Sequence, residues 1–123
     1  MNMITITDIN EANSLLNKYM GGKAELFGIS VGHQRLAIRL SKLDLTTNVA
    51  VIVVAQCRHI KGPFRWTNAQ MSISCQVTNG ERETLIHDDG ADFVAIADGG
   101  FGVLYGEWNE FGMFFDSSSG NIE

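Results

Sequence analysis

Cysteine and histidine are the residue types in this sequence that could ligate a metal or pair as a nucleophile and its base. Cys57 and His59 lie two residues apart, whereas eleven residues separate Cys75 from His87. Structural zinc sites usually take close pairs at both ends. No serine or cysteine lies in a nucleophile signature such as GxSxG. We therefore expect no catalytic residue, no metal and no cofactor.

The acidic segment 88–92 carries oxygen ligands of the kind that bind hard cations such as calcium. A calcium loop of the EF-hand type needs a bidentate glutamate at its twelfth position, and counted from Asp88 that position holds Gly99. Asp and Gly also satisfy turn geometry. We expect a solvated turn here, and whether Asp88, Asp89 and Asp92 bind a cation stays open.

The most distinctive segment, residues 58–66, interleaves positive charges with aromatic rings. One interpretation is an ordinary loop, in which Pro63 ends a strand and Trp66 folds back onto the core. The other is a recognition loop, because aromatic and arginine side chains dominate interface energetics and loops on rigid scaffolds carry function. The candidate partner-binding residues are Arg58, His59, Lys61, Phe64, Arg65 and Trp66.

One segment near the N-terminus has helical periodicity. Thr7 or Asp8 can cap its start, Glu11 stands in the capping-box position counted from Asp8, and Gly21 and Gly22 supply a stop. The sequence predicts a helix over about residues 8–20. Its apolar stripe consists of Ile9, Ala12, Leu15, Leu16, Tyr19 and Met20.

After Gly22 the apolar residues follow a period of two, which is typical of half-buried strands. Residues 49–58 are apolar on both faces as far as Ala55 and predict a central strand. Asn79 and Gly80 favour a two-residue hairpin turn, and residues 111–115 would form an eighth strand. We predict an antiparallel β-sandwich or barrel of about eight strands with one N-terminal α-helix. It would form one domain over residues 1–116, followed by a polar tail at 117–123.

Composition excludes several classes of partner. The chain has 123 residues and a formal net charge of −5, so it lacks the basic surface that nucleic-acid binding requires. Its most apolar uncharged run, residues 45–57 with Asp44 and Arg58 on either side, is too short to span a bilayer as a helix. Two cysteines are too few for a disulfide framework, and the N-terminus does not resemble a signal peptide. We expect a cytoplasmic protein.

Three functions remain open from the sequence. The first is a non-catalytic protein-interaction module, with a basic protein as one class of partner, because residues 66–123 hold ten acids and one arginine. The second is a β-barrel carrier of a small apolar ligand. The third is a small hydrolase or isomerase with a dispersed site. The apolar run 111–115 also suggests a homodimer.

Overall fold

The chain folds into two antiparallel sheets that pack face to face, as the computed structural model of residues 4–30, 35–42 and 48–107 shows. Among these residues there are one α-helix and ten strands, so the predicted fold class is confirmed. The sheets have separate edges, which makes the fold a sandwich. The elements are β1 (Ile4–Ile6), α1 (Ile9–Lys18), β2 (Lys23–Ser30), β3 (Arg35–Ser41), β4 (Asn48–Val54), β5 (Cys57–Lys61), β6 (Arg65–Thr67), β7 (Ser72–Thr78), β8 (Glu81–Asp88), β9 (Phe93–Ala97) and β10 (Phe101–Glu107).

The strand order determines which side chains can meet. The six-stranded sheet has the order β1, β10, β4, β3, β2, β6, and the four-stranded sheet has the order β5, β9, β8, β7. Consecutive strands β5 and β6 therefore lie at the edges of different sheets. The chain between them must cross from one sheet to the other.

Helix α1 forms where the periodicity predicts it. The carboxylate of Asp8 caps its start by accepting a hydrogen bond from the backbone N–H of Glu11, and Lys18 lies in its last turn, which suits the helix dipole. Most of its apolar stripe is buried alongside β7 (Ala12, Leu15, Leu16 and Tyr19), whereas Ile9 is half-buried and Met20 is exposed. Within this stripe the hydroxyl of Tyr19 is buried with no partner among the described residues, and this burial raises the pKa of Tyr19.

The segment predicted as one long strand over 49–58 is divided in two. Strand β4 is central, as predicted, and both Val51 and Ile52 are buried although they face opposite sides of the sheet. The strand stops at Val54 because Gln56 adopts a left-handed conformation with φ of 57°. Cys57 then starts β5 in the other sheet.

The main core lies between the sheets, and a second cluster of apolar residues lies on the other face of the six-stranded sheet. Val49, Val51, Ala37 and Leu104 form the second cluster, with Val53 packed against it. No helix within residues 4–30, 35–42 and 48–107 is long and apolar enough to cross a membrane. The predicted strand and dimer patch at 111–115 lies outside the described residues.

Candidate functional site

Residues 62–64 form the crossover between the sheets, within the segment that the sequence singled out. The sequence predicted a loop, but the structure has two edge strands with a three-residue crossover between them. Gly62 has φ of 133°, and a Cβ at this position would lie 2.8 Å from the Cα of Phe93. The backbone N–H of Leu26 donates to the carbonyl oxygen of Phe64 at 2.6 Å. The crossover backbone is thus fixed at both ends.

Trp66 faces the core. Its ring packs against Phe93 with centroids 4.8 Å apart, and its indole N–H donates to Oδ2 of Asp88 at 2.7 Å. Asp88 is buried and also accepts hydrogen bonds from the backbone N–H groups of Gln70 and Ala91. Trp66 is half-buried and therefore takes the position that the loop interpretation gave it. It is not an exposed anchor.

Phe64 is the exposed aromatic residue of the segment, with 75% of its surface accessible. We call Phe64 with the exposed side chains of His59, Lys61 and Arg65 the crossover surface. Arg58 has a different role, because its guanidinium is paired with the carboxylates of Glu83 on β8 and Asp98 just after β9. Five of the six predicted residues thus lie outside the core, although Arg58 is held by two acids.

Charges of both signs surround the crossover surface. Lys61 Nζ lies 3.7 Å from the carboxylate of Asp92. On β2, Glu25 pairs in register with Arg65 and accepts hydrogen bonds from Arg39. The Arg39 hydrogen bonds, with help from the charges of Arg39, Lys23 and Arg65, hold the pKa of Glu25 below its ordinary value despite partial burial.

The acidic segment 88–92 does not assemble a cation site among the described residues. Asp88 points inward to Trp66, while the side chains of Asp89 and Asp92 are 93% and 85% exposed. Asp89 begins a short 3₁₀ turn, and Asp92 ends it in a left-handed conformation with φ of 55°. The carboxylates therefore diverge, which agrees with the predicted turn.

The candidate zinc ligands Cys57, His59, Cys75 and His87 do not converge either. Cys57 on β5 and Cys75 on β7 lie in one row of the four-stranded sheet, with Ala97 and Thr84 between them. Three strand spacings separate the two cysteines by about 14 Å, which is too far for one zinc ion. Both thiols are free, and no group of metal-ligating side chains occurs within the described residues. Burial raises the pKa of Cys57.

One chain of side chains has the composition of a hydrolytic triad. Ser72 and His87 lie directly opposite each other on β7 and β8, with Ser72 Oγ 3.2 Å from His87 Nε2. His87 Nδ1 lies 3.3 Å from Oδ1 of Asp89. With the proton on Nδ1, His87 can accept the Ser72 proton while Asp89 orients the ring. Sequence analysis missed this chain.

A cleft of about 540 Å³ opens at one end of the sandwich. Its walls are the β1–α1 junction at residues 7–9, the β9–β10 turn at residues 98–101, and Cys75, Arg82 and Thr84 on the β7–β8 hairpin. Phe101 is its one aromatic residue, and neither His59 nor His87 lines it. The cleft and the chain Ser72–His87–Asp89 are thus different sites.

No protein-family model matches this chain, and comparison with curated proteins and with solved structures gives no match. The function must therefore be argued from the geometry of the described residues.

Proposed function

We propose that this protein is a protein-interaction module that binds its partner through the crossover surface, with Phe64 as the apolar anchor. The observation that carries the proposal is the 75% exposure of this aromatic ring on a fixed backbone. An aromatic anchor surrounded by charged side chains is the usual composition of an interface hot spot. His59, Lys61 and Arg65 would form the rim.

A preformed backbone favours binding because little conformational entropy is lost when the partner docks. The Trp66 indole, its hydrogen bond to Asp88 and the close approach of Gly62 to Phe93 all hold the segment in place from below. Phe64 would then bind without rearrangement of the loop. This rigid support is the second reason to prefer Phe64 over other exposed apolar residues.

A basic protein is the partner class that we propose, in line with the net charge of −5. Net charge governs long-range attraction, whereas the rim charges of Lys61 and Arg65 are positive and would face acidic groups of that partner in the final fit. The exposed carboxylate of Asp92, 3.7 Å from Lys61 Nζ, adds an acidic group to this side of the molecule. The two free cysteines, Cys57 and Cys75, support our further proposal that the protein is cytoplasmic.

A photo-crosslinker tests the proposal most directly. p-Benzoylphenylalanine would replace Phe64 in one variant and, as a matched exposed control on β1, Ile4 in another, which is 54% accessible. Irradiation in a lysate of the native host should crosslink a protein at position 64 and not at position 4. Excess wild-type protein should suppress this crosslink, and excess Phe64→Ala protein should not. A position-64 crosslink that both competitors suppress equally would show that the ring is not the anchor. A lysate without any suppressible crosslink at this position would also count against the proposal.

A second candidate function, ester hydrolysis, is favoured by the chain Ser72–His87–Asp89. Ser72 Oγ would attack the ester carbonyl while His87 Nε2 takes its proton, and the ester C–O bond would break as the leaving alkoxide receives that proton. Water activated by His87 would then hydrolyse the acyl-serine and return the free hydroxyl.

The sheet supplies a matched control for this second function. Ser74 lies on the same strand and the same face as Ser72, opposite Leu85 instead of a histidine. With p-nitrophenyl acetate as the probe, Ser72→Ala should abolish both nitrophenolate release and acetylation of the strand, whereas Ser74→Ala should not. Equal rates in the two variants would eliminate this candidate.

The carrier alternative would have to use the end cleft. Methionine, phenylalanine and tryptophan side chains would suit the lining of a pocket for an apolar ligand, and of these types only Phe101 lines the cleft. Met71 is instead buried in the core between the sheets. The geometry therefore favours the interaction module over the carrier.

A further inference from the structure

Helix α1 covers one half of the outer edge of strand β7. Strand β7 is the last strand of the four-stranded sheet, so its outer edge has no neighbouring strand among the described residues. At Ile73 the side-chain amide of Asn13 takes the place of a strand: its Nδ2 donates to the Ile73 carbonyl, and its Oδ1 accepts from the Ile73 N–H, both at 2.8 Å. Asn13 thus shows which way the polar groups of Ile73 point.

The other half of this edge is open. Residues two apart on a strand direct their N–H and C=O groups to the same side, so those of Cys75 and Val77 point outward like those of Ile73. No described residue bonds to the outward groups of Cys75 or Val77. The Val77 side chain is 71% exposed. An exposed edge of this kind is the template for addition of another strand.

The end cleft adjoins this edge. Cys75 and Val77 are paired with Thr84 and Arg82 on β8, and these residues lie on the cleft side of the hairpin. Side chains of an added strand opposite Cys75 and Val77 would point to the same side and would enter the cleft. The cleft volume of about 540 Å³ leaves space for them.

The charged side chains in the cleft indicate which kind of side chain an added strand would carry. Asp8 is committed to capping α1, and Asp98 is paired with Arg58. The guanidinium of Arg82 has no hydrogen-bond or ion-pair partner among the described residues. Arginine binds carboxylates in a bidentate geometry, so an Asp or Glu side chain of the added strand would complement it.

We propose that the open β7 edge at residues 75–78 binds an extended peptide segment of a partner protein, with a carboxylate side chain of that peptide on Arg82. Main-chain hydrogen bonds to Cys75 and Val77 supply the affinity, and Arg82 with the cleft supplies the selectivity. The site ends before Ile73, because Asn13 of α1 already occupies the outward backbone groups of that residue. This site is separate from the crossover surface and does not depend on Phe64.

Selection from a phage-displayed library of random linear peptides on the folded protein supplies the probe, and binding of the selected peptides is then measured by titration. Val77→Pro removes one outward N–H without removing a hydrogen bond to β8, and Val77→Thr is its control because it keeps that N–H. Binding should weaken about tenfold or more in Val77→Pro and remain nearly unchanged in Val77→Thr.

Arg82 gives an independent measurement if Val77→Pro fails to fold. Arg82→Gln should weaken binding of a selected peptide that has Asp or Glu, and replacing that acid by Ala in the peptide should make the two proteins equal. Phe64→Ala should leave binding intact, so failure at this edge is distinguishable from failure of the crossover surface.

Three results would overturn the proposal. The first is a selection that yields no peptide sensitive to Val77→Pro or Arg82→Gln. The second is selected peptides without an acidic residue. The third is concentration-dependent self-association in sedimentation that Val77→Pro abolishes, which would assign the edge to a second copy of this chain.

Discussion

The indole N–H of Trp66 donates to the buried carboxylate of Asp88 at 2.7 Å, and this bond joins the two sheets. Trp66 belongs to the six-stranded sheet through β6, whereas Asp88 ends β8 of the four-stranded sheet. A carboxylate in the interior is stable only when its oxygens are hydrogen-bonded. Here the partners are Trp66 and two backbone N–H groups.

Replacing Asp88 should therefore lower the free energy of unfolding by more than the loss of its own packing contacts. Asp88→Ala leaves the Trp66 N–H and two backbone N–H groups unpaired, and we expect a loss of about 3 kcal/mol in the free energy of unfolding. Trp66→Phe keeps the ring contact with Phe93 and should cost about 1–2 kcal/mol. Urea unfolding of both variants and the double variant measures the coupling between them, which should be about 1 kcal/mol or more. Additive losses of free energy of unfolding in the double variant would show that the two side chains are not coupled.

Phe64 and Phe93 form a matched pair of phenylalanines. Phe64→Ala should change the free energy of unfolding by less than about 0.5 kcal/mol, because the ring is exposed. Phe93→Ala should cost about 3–5 kcal/mol, because that ring is buried and packs on Trp66. Thermal or urea unfolding of the two variants checks this difference. A large loss in Phe64→Ala would place the ring in the core and remove the anchor from the proposed interface.

Asn13 should stabilise the fold through its two bonds to Ile73. Asn13→Ala leaves both backbone groups of Ile73 without their partner and should cost about 2 kcal/mol. Asn17, on the same helix and exposed, is the control, and Asn17→Ala should cost less than about 0.5 kcal/mol. Equal effects in the two variants would show that the bonds from Asn13 to Ile73 do not contribute to stability.

The two thiols should differ in reactivity. Cys75 is exposed, whereas Cys57 is half-buried with a raised pKa, so less of Cys57 is in the reactive thiolate form. Treatment with iodoacetamide at about pH 8 should alkylate Cys75 first, as peptide mass spectrometry would record. Both should react at similar rates in the urea-unfolded chain. Faster alkylation of Cys57 in the folded protein would contradict its burial.

The protein should lose the stabilising contribution of the Glu25 carboxylate in acid. Its pKa in the folded state lies below the ordinary value of 4.5, so its stabilising contribution is present above that pH and is lost as the pH falls further. Between about pH 6 and pH 3, the wild type should lose more free energy of unfolding than Glu25→Gln does. Glu81→Gln, at an exposed residue of β8, is the control and should follow the wild type. A Glu25→Gln curve parallel to the wild type would rule out the ionic role of this carboxylate.

Much of the fold follows from local patterns in the sequence. The cap at Asp8 and the apolar stripe after it predict α1 to within about two residues. Asn79 and Gly80 take the positive φ values, 54° and 80°, that a two-residue hairpin needs. These features depend on neighbours in the chain, which is why the sequence reveals them.

The edge strands do not follow from such patterns. β1 and β6 have three residues each, too few to show alternation, and β5 has exposed residues on both faces. Their pairing with β10, β2 and β9 depends on distant parts of the chain. The sequence does not reveal the break at Gln56 either. A left-handed conformation is usually signalled by glycine, and here a glutamine adopts it.

The pair Ser72 and His87 could have been found from sequence. A two-residue turn at Asn79 and Gly80 pairs every residue with its mirror image about the turn, and this places Ser72 opposite His87. The inward position of Trp66 was one of two interpretations, because its partners, Asp88 and Phe93, come from the opposite sheet. Only the tertiary structure shows that Phe64 is the exposed ring and that Trp66 is half-buried.

The short crossover at residues 62–64 joins the edges of both sheets on one side of the sandwich. Because three residues give little slack, β5 cannot separate from β9 by a large distance without pulling on β6 and its pairing with β2. Local opening on this side is therefore cooperative, and fraying of one sheet edge draws in the other. Amide protons of β5 and β6 should exchange with deuterium through one shared opening event, although the two strands belong to different sheets.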